Sequence, residues 1–89
     1  MEQKLRCDRY LGGNLRTLRK KHKISQEKLC AELQLRGCDI SRSTYAKYED
    51  GSLNVRISIL MELKKIYACS YDDFFEGLEN DEFQRIIAD

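Results

Sequence analysis

The sequence predicts an all-α fold, a compact five-helix domain with room for one further short helix at its C-terminal end. Three observations predict it. Apolar residues recur at helical spacing through most of the chain. Proline is absent and glycine scarce, while Leu, Lys, Glu and Arg abound, a composition that favours helices. No stretch alternates with period two for long enough to read as a strand. At 89 residues the chain has room for one domain with a modest core.

Residues 1–10 read as an N-terminal arm or an extra helical turn, residues 11–78 as the domain, and residues 79–89 as a short helical extension. Leu11, Leu15 and Leu18 recur at i, i+4 and i+7, which predicts a first helix over Leu11 to His22 with Arg16, Lys20 and Lys21 on its polar side. Ser25 is a suitable N-cap for a second helix, Gln26 to Arg36, with Leu29, Cys30 and Leu33 as its apolar stripe and Gly37 as its stop. Ser41 caps a third helix, Arg42 to Glu49, halted by Gly51. Asn54 can cap a fourth, whose stripe is Ile59, Leu60, Leu63, Ile66 and Tyr67. Ser70 with Asp73 three residues on reads as a capping signal for a fifth helix bearing Phe74, Phe75 and Leu78. Phe83, Ile86 and Ile87 fall on one side of a last helix over Asp81 to Ala88, and either pack on the domain or make a dimer contact.

The net charge of +1 hides an asymmetry. Residues 1–49 carry twelve Lys/Arg against six Asp/Glu, and residues 50–89 carry four against nine. Such a split suits a basic face for a polyanion, or two solvated faces of opposite sign. The polar N-terminus lacks the apolar run of a signal peptide, and no membrane span is visible, so a cytoplasmic location is expected. Cys7, Cys30, Cys38 and Cys69 should then be free thiols, with Cys30 and Cys69 at apolar helical positions. No Cys-x-x-Cys pair exists and the only histidine, His22, lies among lysines, so no metal site and no cofactor is expected. His22 has no evident carboxylate or nucleophile partner, and no glycine-rich phosphate loop occurs, which argues against an enzyme.

The third helix has the make-up of a DNA reader. Tyr45 and Tyr48, three apart, can anchor it to a core while Arg42, Ser43 and Lys47 face outward, and the major groove admits one such helix. Four ordered blocks carry a more specific signal: Leu-Gly-x-x-Leu-Arg-x-Leu-Arg at Leu11 to Arg19, Ile-Ser-Gln-Glu-x-Leu at Ile24 to Leu29, Ile-Ser-Arg-Ser-Thr-Tyr-Ala-Lys-Tyr-Glu-Asp-Gly at Ile40 to Gly51, and Leu-Lys-Lys-Ile-Tyr-Ala-Cys-Ser-Tyr-Asp-Asp-Phe-Phe at Leu63 to Phe75. In these the chain resembles the phage-repressor (XRE-type, Cro/repressor) helix-turn-helix family. The resemblance implies a five-helix domain that binds double-stranded DNA as a homodimer, most often as a repressor.

It also implies roles. The residue matching Gln26 contacts a phosphate at a helix N-terminus, and those matching Arg19 and Glu49 form a salt bridge. By position on the predicted helices, Arg42, Ser43 and Lys47 are the expected base readers, and Thr44, Ser25, Lys20, Lys21 and Lys23 the expected phosphate contacts, although the three lysines equally suit ordinary solvation. Two features depart from the pattern. The segment between Leu29 and Ser41 is longer than usual, so a loop over Gln34 to Asp39 is expected, and Asp50 brings a carboxylate where relatives have a neutral or basic residue near phosphate. The competing reading is a protein-interaction module on the same fold, such as an antitoxin or anti-repressor. Leu53 to Ile57 and the C-terminal segment are candidate dimer surfaces.

Overall fold

The computed structural model describes residues 4–5 and 9–77. Its elements are β1 (Lys4–Leu5), α1 (Arg9–Lys21), α2 (Gln26–Leu35), α3 (Arg42–Asp50), β2 (Val55–Arg56), α4 (Ile57–Tyr67) and a 3₁₀ helix over Tyr71–Phe75. The expected core stripes meet in one cluster: Leu11, Leu15 and Leu18 of α1, Leu29, Cys30 and Leu33 of α2, Tyr45 and Tyr48 of α3, Ile59, Leu60, Leu63 and Tyr67 of α4, and Phe74. Each stripe repeats at the helical period, so each helix buries one face and leaves its charged face in water.

The four α-helices among the described residues end alike. After α1, α2, α3 and α4 the chain turns through a positive φ at Lys23, Gly37, Gly51 and Ala68. At each end two backbone N–H groups return to the last turn, as in Cys38 N to Leu33 O at 2.8 Å and Gly37 N to Gln34 O at 3.0 Å. This pairing satisfies carbonyls that a helix end leaves orphaned. Gly37 and Gly51 adopt the left-handed conformation at no steric cost, whereas Lys23 and Ala68 do so against the Cβ penalty. At the other ends, Ser25 Oγ accepts from Lys28 N and Ser41 Oγ from Thr44 N. The predicted capping box at Ser70 is complete, with Asp73 Oδ2 accepting from Ser70 N at 3.1 Å.

Several expectations need correction. The fifth helix is a single 3₁₀ segment, so the described fold has four α-helices and not five. Asn54 does not cap α4. Val55 and Arg56 stay extended, paired antiparallel with Leu5 and Lys4, so the helix starts only at Ile57 and Arg56 holds the cap position without a side-chain cap bond. This two-residue pairing is also a small departure from an all-α fold, and it is too short to show in any alternation of residues. α1 begins at Arg9, two residues before the predicted Leu11. Leu78, Cys7 and the predicted helix over Asp81 to Ala88 lie outside the described residues.

The long connection between α2 and α3 is clasped rather than loose. α2 ends at Leu35, one residue before the predicted Arg36, and α3 begins at Arg42. Cys38 and Ile40 insert into the core with 9% and 3% exposure. Gln34 Nε2 donates to Ile40 O at 2.9 Å, and Arg56 Nη2 to Asp39 O at 3.0 Å. Arg36 pairs with Glu32 across one turn at 3.0 Å and reaches Glu62 of α4 at 3.6 Å. Side chains on both flanks thus tie the extra residues to the rest of the domain.

Candidate nucleic-acid interface

The third helix presents two unlike sides. Tyr45 and Tyr48 are almost wholly buried and meet edge to face with ring centroids 6.1 Å apart. Arg42, Ser43 and Lys47 are exposed, Ser43 and Lys47 on the side opposite the tyrosines. Ser43 and Lys47 are four residues apart and so share a face. Ser41 organises the first turn, with its Oγ 2.9 Å from Thr44 Oγ1 and 3.1 Å from Ser43 Oγ. The hydroxyls of Ser43 and Thr44 are therefore oriented by the cap, and Thr44 is half-buried.

Behind α3 lies a polar hub. Glu49 is the one buried charged residue among those described. Arg19 grips it with two bonds, Nε to Oε2 at 2.7 Å and Nη2 to Oε1 at 3.1 Å, and Gln26 Nε2 donates to Oε1 at 3.0 Å. The remaining Arg19 nitrogen, Nη1, donates to Ile24 O at 3.0 Å. Burial pushes the Glu49 carboxyl up, but the hydrogen bonds from Arg19 and Gln26, with the nearby Tyr45 hydroxyl, outweigh it and hold Glu49 below the usual carboxylate range. The bond to Glu49 likewise raises the Arg19 guanidinium. The Tyr45 and Tyr67 hydroxyls are buried beside this hub without a hydrogen bond of good geometry, and burial raises both phenols.

The hub fixes α3 against α1 and against the start of α2. A second device sets their distance. At Gly12 an added Cβ would lie 2.5 Å from the carbonyl oxygens of both Tyr48 and Glu49, so only glycine lets α1 cross the end of α3 this closely. Asn14 Nδ2 donates to Phe74 O and Glu76 O, each at 2.9 Å, and ties α1 to the 3₁₀ helix.

Lys20, Lys21, Lys23 and Ser25 are exposed around the turn from α1 to α2, Lys23 in the left-handed conformation. Gln26 is half-buried, with one amide proton committed to Glu49. Asp50 is exposed and accepts from Ser52 N at 2.8 Å, so it also builds the turn after α3. Sequence reasoning did not foresee the Gln26–Glu49 bond, the Asn14 tie or the clasp on the long turn, because each joins residues whose proximity only the tertiary fold creates. The crossing at Gly12 had a partial signal, a glycine within an otherwise regular helix.

Cys30, Cys38 and Cys69 are free, the first two buried. Among the described residues no group of His, Cys, Asp or Glu is arranged to hold a metal, and no helix is long and apolar enough to cross a membrane. Residues 15–74 match the family described as Helix-turn-helix, a span that runs from within α1 to the 3₁₀ helix. No curated protein and no solved structure matches the chain.

Proposed function

Because the chain belongs to the helix-turn-helix family, of the XRE type, whose members are DNA-binding transcription regulators and not enzymes, we propose that it represses transcription from the cytoplasm by occupying an inverted-repeat operator as a homodimer, with α3 in the major groove. The observation that carries this is the two-sided character of α3. Its tyrosines are locked in the core while Arg42, Ser43 and Lys47 are exposed to solvent. Arg42 can present a bidentate fork to guanine O6 and N7, Lys47 can donate to the same acceptors, and Ser43 suits either base type. Gln26, Thr44, Ser25, Lys20, Lys21 and Lys23 contact phosphates and set register without reading sequence. A dimer is required because one short helix reads too few base pairs to find a site in a genome. Two-fold symmetry then separates the half-sites by about 34 Å, one turn of DNA.

The test is binding-site selection from a random duplex library with wild type, Arg42→Ala, Lys47→Ala and Gln26→Ala. The first two variants lose preference at single base pairs, each by about 1–3 kcal/mol, while Gln26→Ala weakens all sequences alike. Unchanged preference in both α3 variants removes α3 as the reader. Absence of salt-sensitive DNA binding by the wild type favours the protein-interaction module instead.

A further inference from the structure

We propose that Gln34 and Arg56 are positioning residues for base reading: they brace the chain that enters α3 from two flanks, so that Arg42 is aimed at its base pair. The proposal rests on the DNA-binding reading and adds to it two residues outside α3. Residues 38–41 alternate, with Cys38 and Ile40 buried and Asp39 and Ser41 exposed, as in an extended chain. Ser41 itself has extended backbone, with φ −85° and ψ 158°. Successive carbonyls of an extended chain point to opposite flanks. Here the carbonyls of Asp39 and Ile40 are both taken, by side chains of two different elements. Gln34 Nε2, in the last turn of α2, donates to Ile40 O at 2.9 Å, and Arg56 Nη2, from β2, donates to Asp39 O at 3.0 Å. Both anchors are themselves held. Gln34 O accepts from Gly37 N at 3.0 Å, and Arg56 is paired with Lys4 across the two strands.

The first turn of a helix depends most on what precedes it. Its leading N–H groups have no partner inside the helix, and here Ser41 supplies the cap, with Oγ accepting from Thr44 N. Arg42 is the first residue of α3 and follows that cap directly. Lys47 lies more than a turn further on, among Tyr45, Tyr48 and Glu49, which are buried against the rest of the domain. Loss of a brace therefore moves Arg42 more than Lys47. A bidentate contact from arginine to guanine needs two N–H groups on O6 and N7 at once, and such geometry tolerates about 0.5 Å of misplacement. Gln34 and Arg56 thus act on sequence preference through Arg42. The need arises from the length of the α2–α3 connection, since a tight turn of about three or four residues fixes the second helix by itself.

The experiment measures binding of the full chain to the selected site and to duplexes with one base pair changed, either the pair that Arg42→Ala relaxes or the pair that Lys47→Ala relaxes. Discrimination is a ratio between duplexes of equal charge, so a uniform loss of affinity or of folded protein cancels. The variants are Gln34→Met and Arg56→Met, which remove the donors, each alone and combined with Arg42→Ala. Thermal melts verify folding, and should one variant not fold, the other decides. Each is expected to lose about three- to fivefold of the discrimination at the Arg42 pair, the worth of about one hydrogen bond, and to keep that at the Lys47 pair. In the Arg42→Ala background neither loses more at the Arg42 pair. Wild-type discrimination at the Arg42 pair in either folded variant, an equal loss at both pairs, or a loss that persists without Arg42 overturns the proposal. If Arg42→Ala alone leaves every preference unchanged, or the wild type retains no duplex, the reading of α3 as the DNA reader fails, and this inference with it.

Discussion

Replacing Glu49 by Gln changes one atom at the centre of the hub. Three donors converge on the two carboxylate oxygens: Arg19 Nε on Oε2, and Arg19 Nη2 and Gln26 Nε2 on Oε1. A glutamine amide offers one oxygen. With that oxygen in place of Oε1, the amide nitrogen faces Arg19 Nε–H; with it in place of Oε2, the nitrogen faces two donors. Either way at least one buried donor meets another. The Arg19 side chain is 12% exposed and cannot recover full hydration. Its bond to Ile24 O survives. Breaking a buried pair by removing one charge costs about 3–5 kcal/mol, and the bonds that the amide retains offset part of that. The expected loss is therefore about 2–3 kcal/mol. In a domain of this size that lowers Tm by about 10–20 °C. The assay is thermal unfolding followed by circular dichroism at neutral pH. Gln26→Ala, which removes only a neutral donor, should cost about 0.5–1.5 kcal/mol. The double replacement Arg19→Met, Glu49→Leu should recover much of the Glu49→Gln loss, because no buried charge is left stranded. A Glu49→Gln protein melting like wild type would refute the reasoning, since the three donors would then owe nothing to the charge.

Other outcomes follow from the same geometry. Glu49 titrates below its ordinary value of 4.5, so its contribution is fully present above that pH and is lost as pH falls through the depressed folded value. Acid titration of Tm should therefore be shallower below pH 4.5 for Glu49→Gln than for wild type. Gly12→Ala should destabilise the fold by about 2–4 kcal/mol, because the methyl meets backbone and cannot be relieved by a rotamer change. Gly13→Ala, with nothing within 4 Å of the added Cβ, should instead stabilise by about 0.5–1 kcal/mol, and urea unfolding of the pair checks both signs. Ala68→Gly relieves a left-handed alanine at an exposed helix end and should raise Tm by a few degrees in a thermal melt. Cys38 lies in the core, where a serine hydroxyl would be buried. Cys38→Ser should lower stability by about 1–2 kcal/mol, measurable in the same urea series.

Much of the fold was legible because it is built from local rules. The leucines of α1, the Ser25 and Ser41 caps, the glycine stops after α2 and α3 and the Ser70–Asp73 box all act within one or two helical turns, where spacing in the chain is spacing in space. The candidate base readers were legible for the same reason. Tyr45 and Tyr48 assign one side of α3 to the core, so Ser43 and Lys47 are left outside by helix geometry alone.

What the linear pattern could not supply depends on elements meeting. The start of α4 moved from Asn54 to Ile57 because β2 pairs with a strand at the far end of the chain. Length and composition of the α2–α3 connection suggested a loop, and only Gln34, Arg56 and the insertion of Cys38 and Ile40 decided that it is clasped. Gln26 is tied to Glu49 from 23 residues away. Gly12 allows α1 and α3 to cross at backbone contact, and residues of α1, α2 and α3, among them Arg16 and Asp50, line one cleft. By itself the sequence determined the helices and their outward faces, since those follow from period and caps. The tertiary structure alone decided which charges are paired, which are left free, and which share a cleft, because electrostatic partners are set by distance between elements.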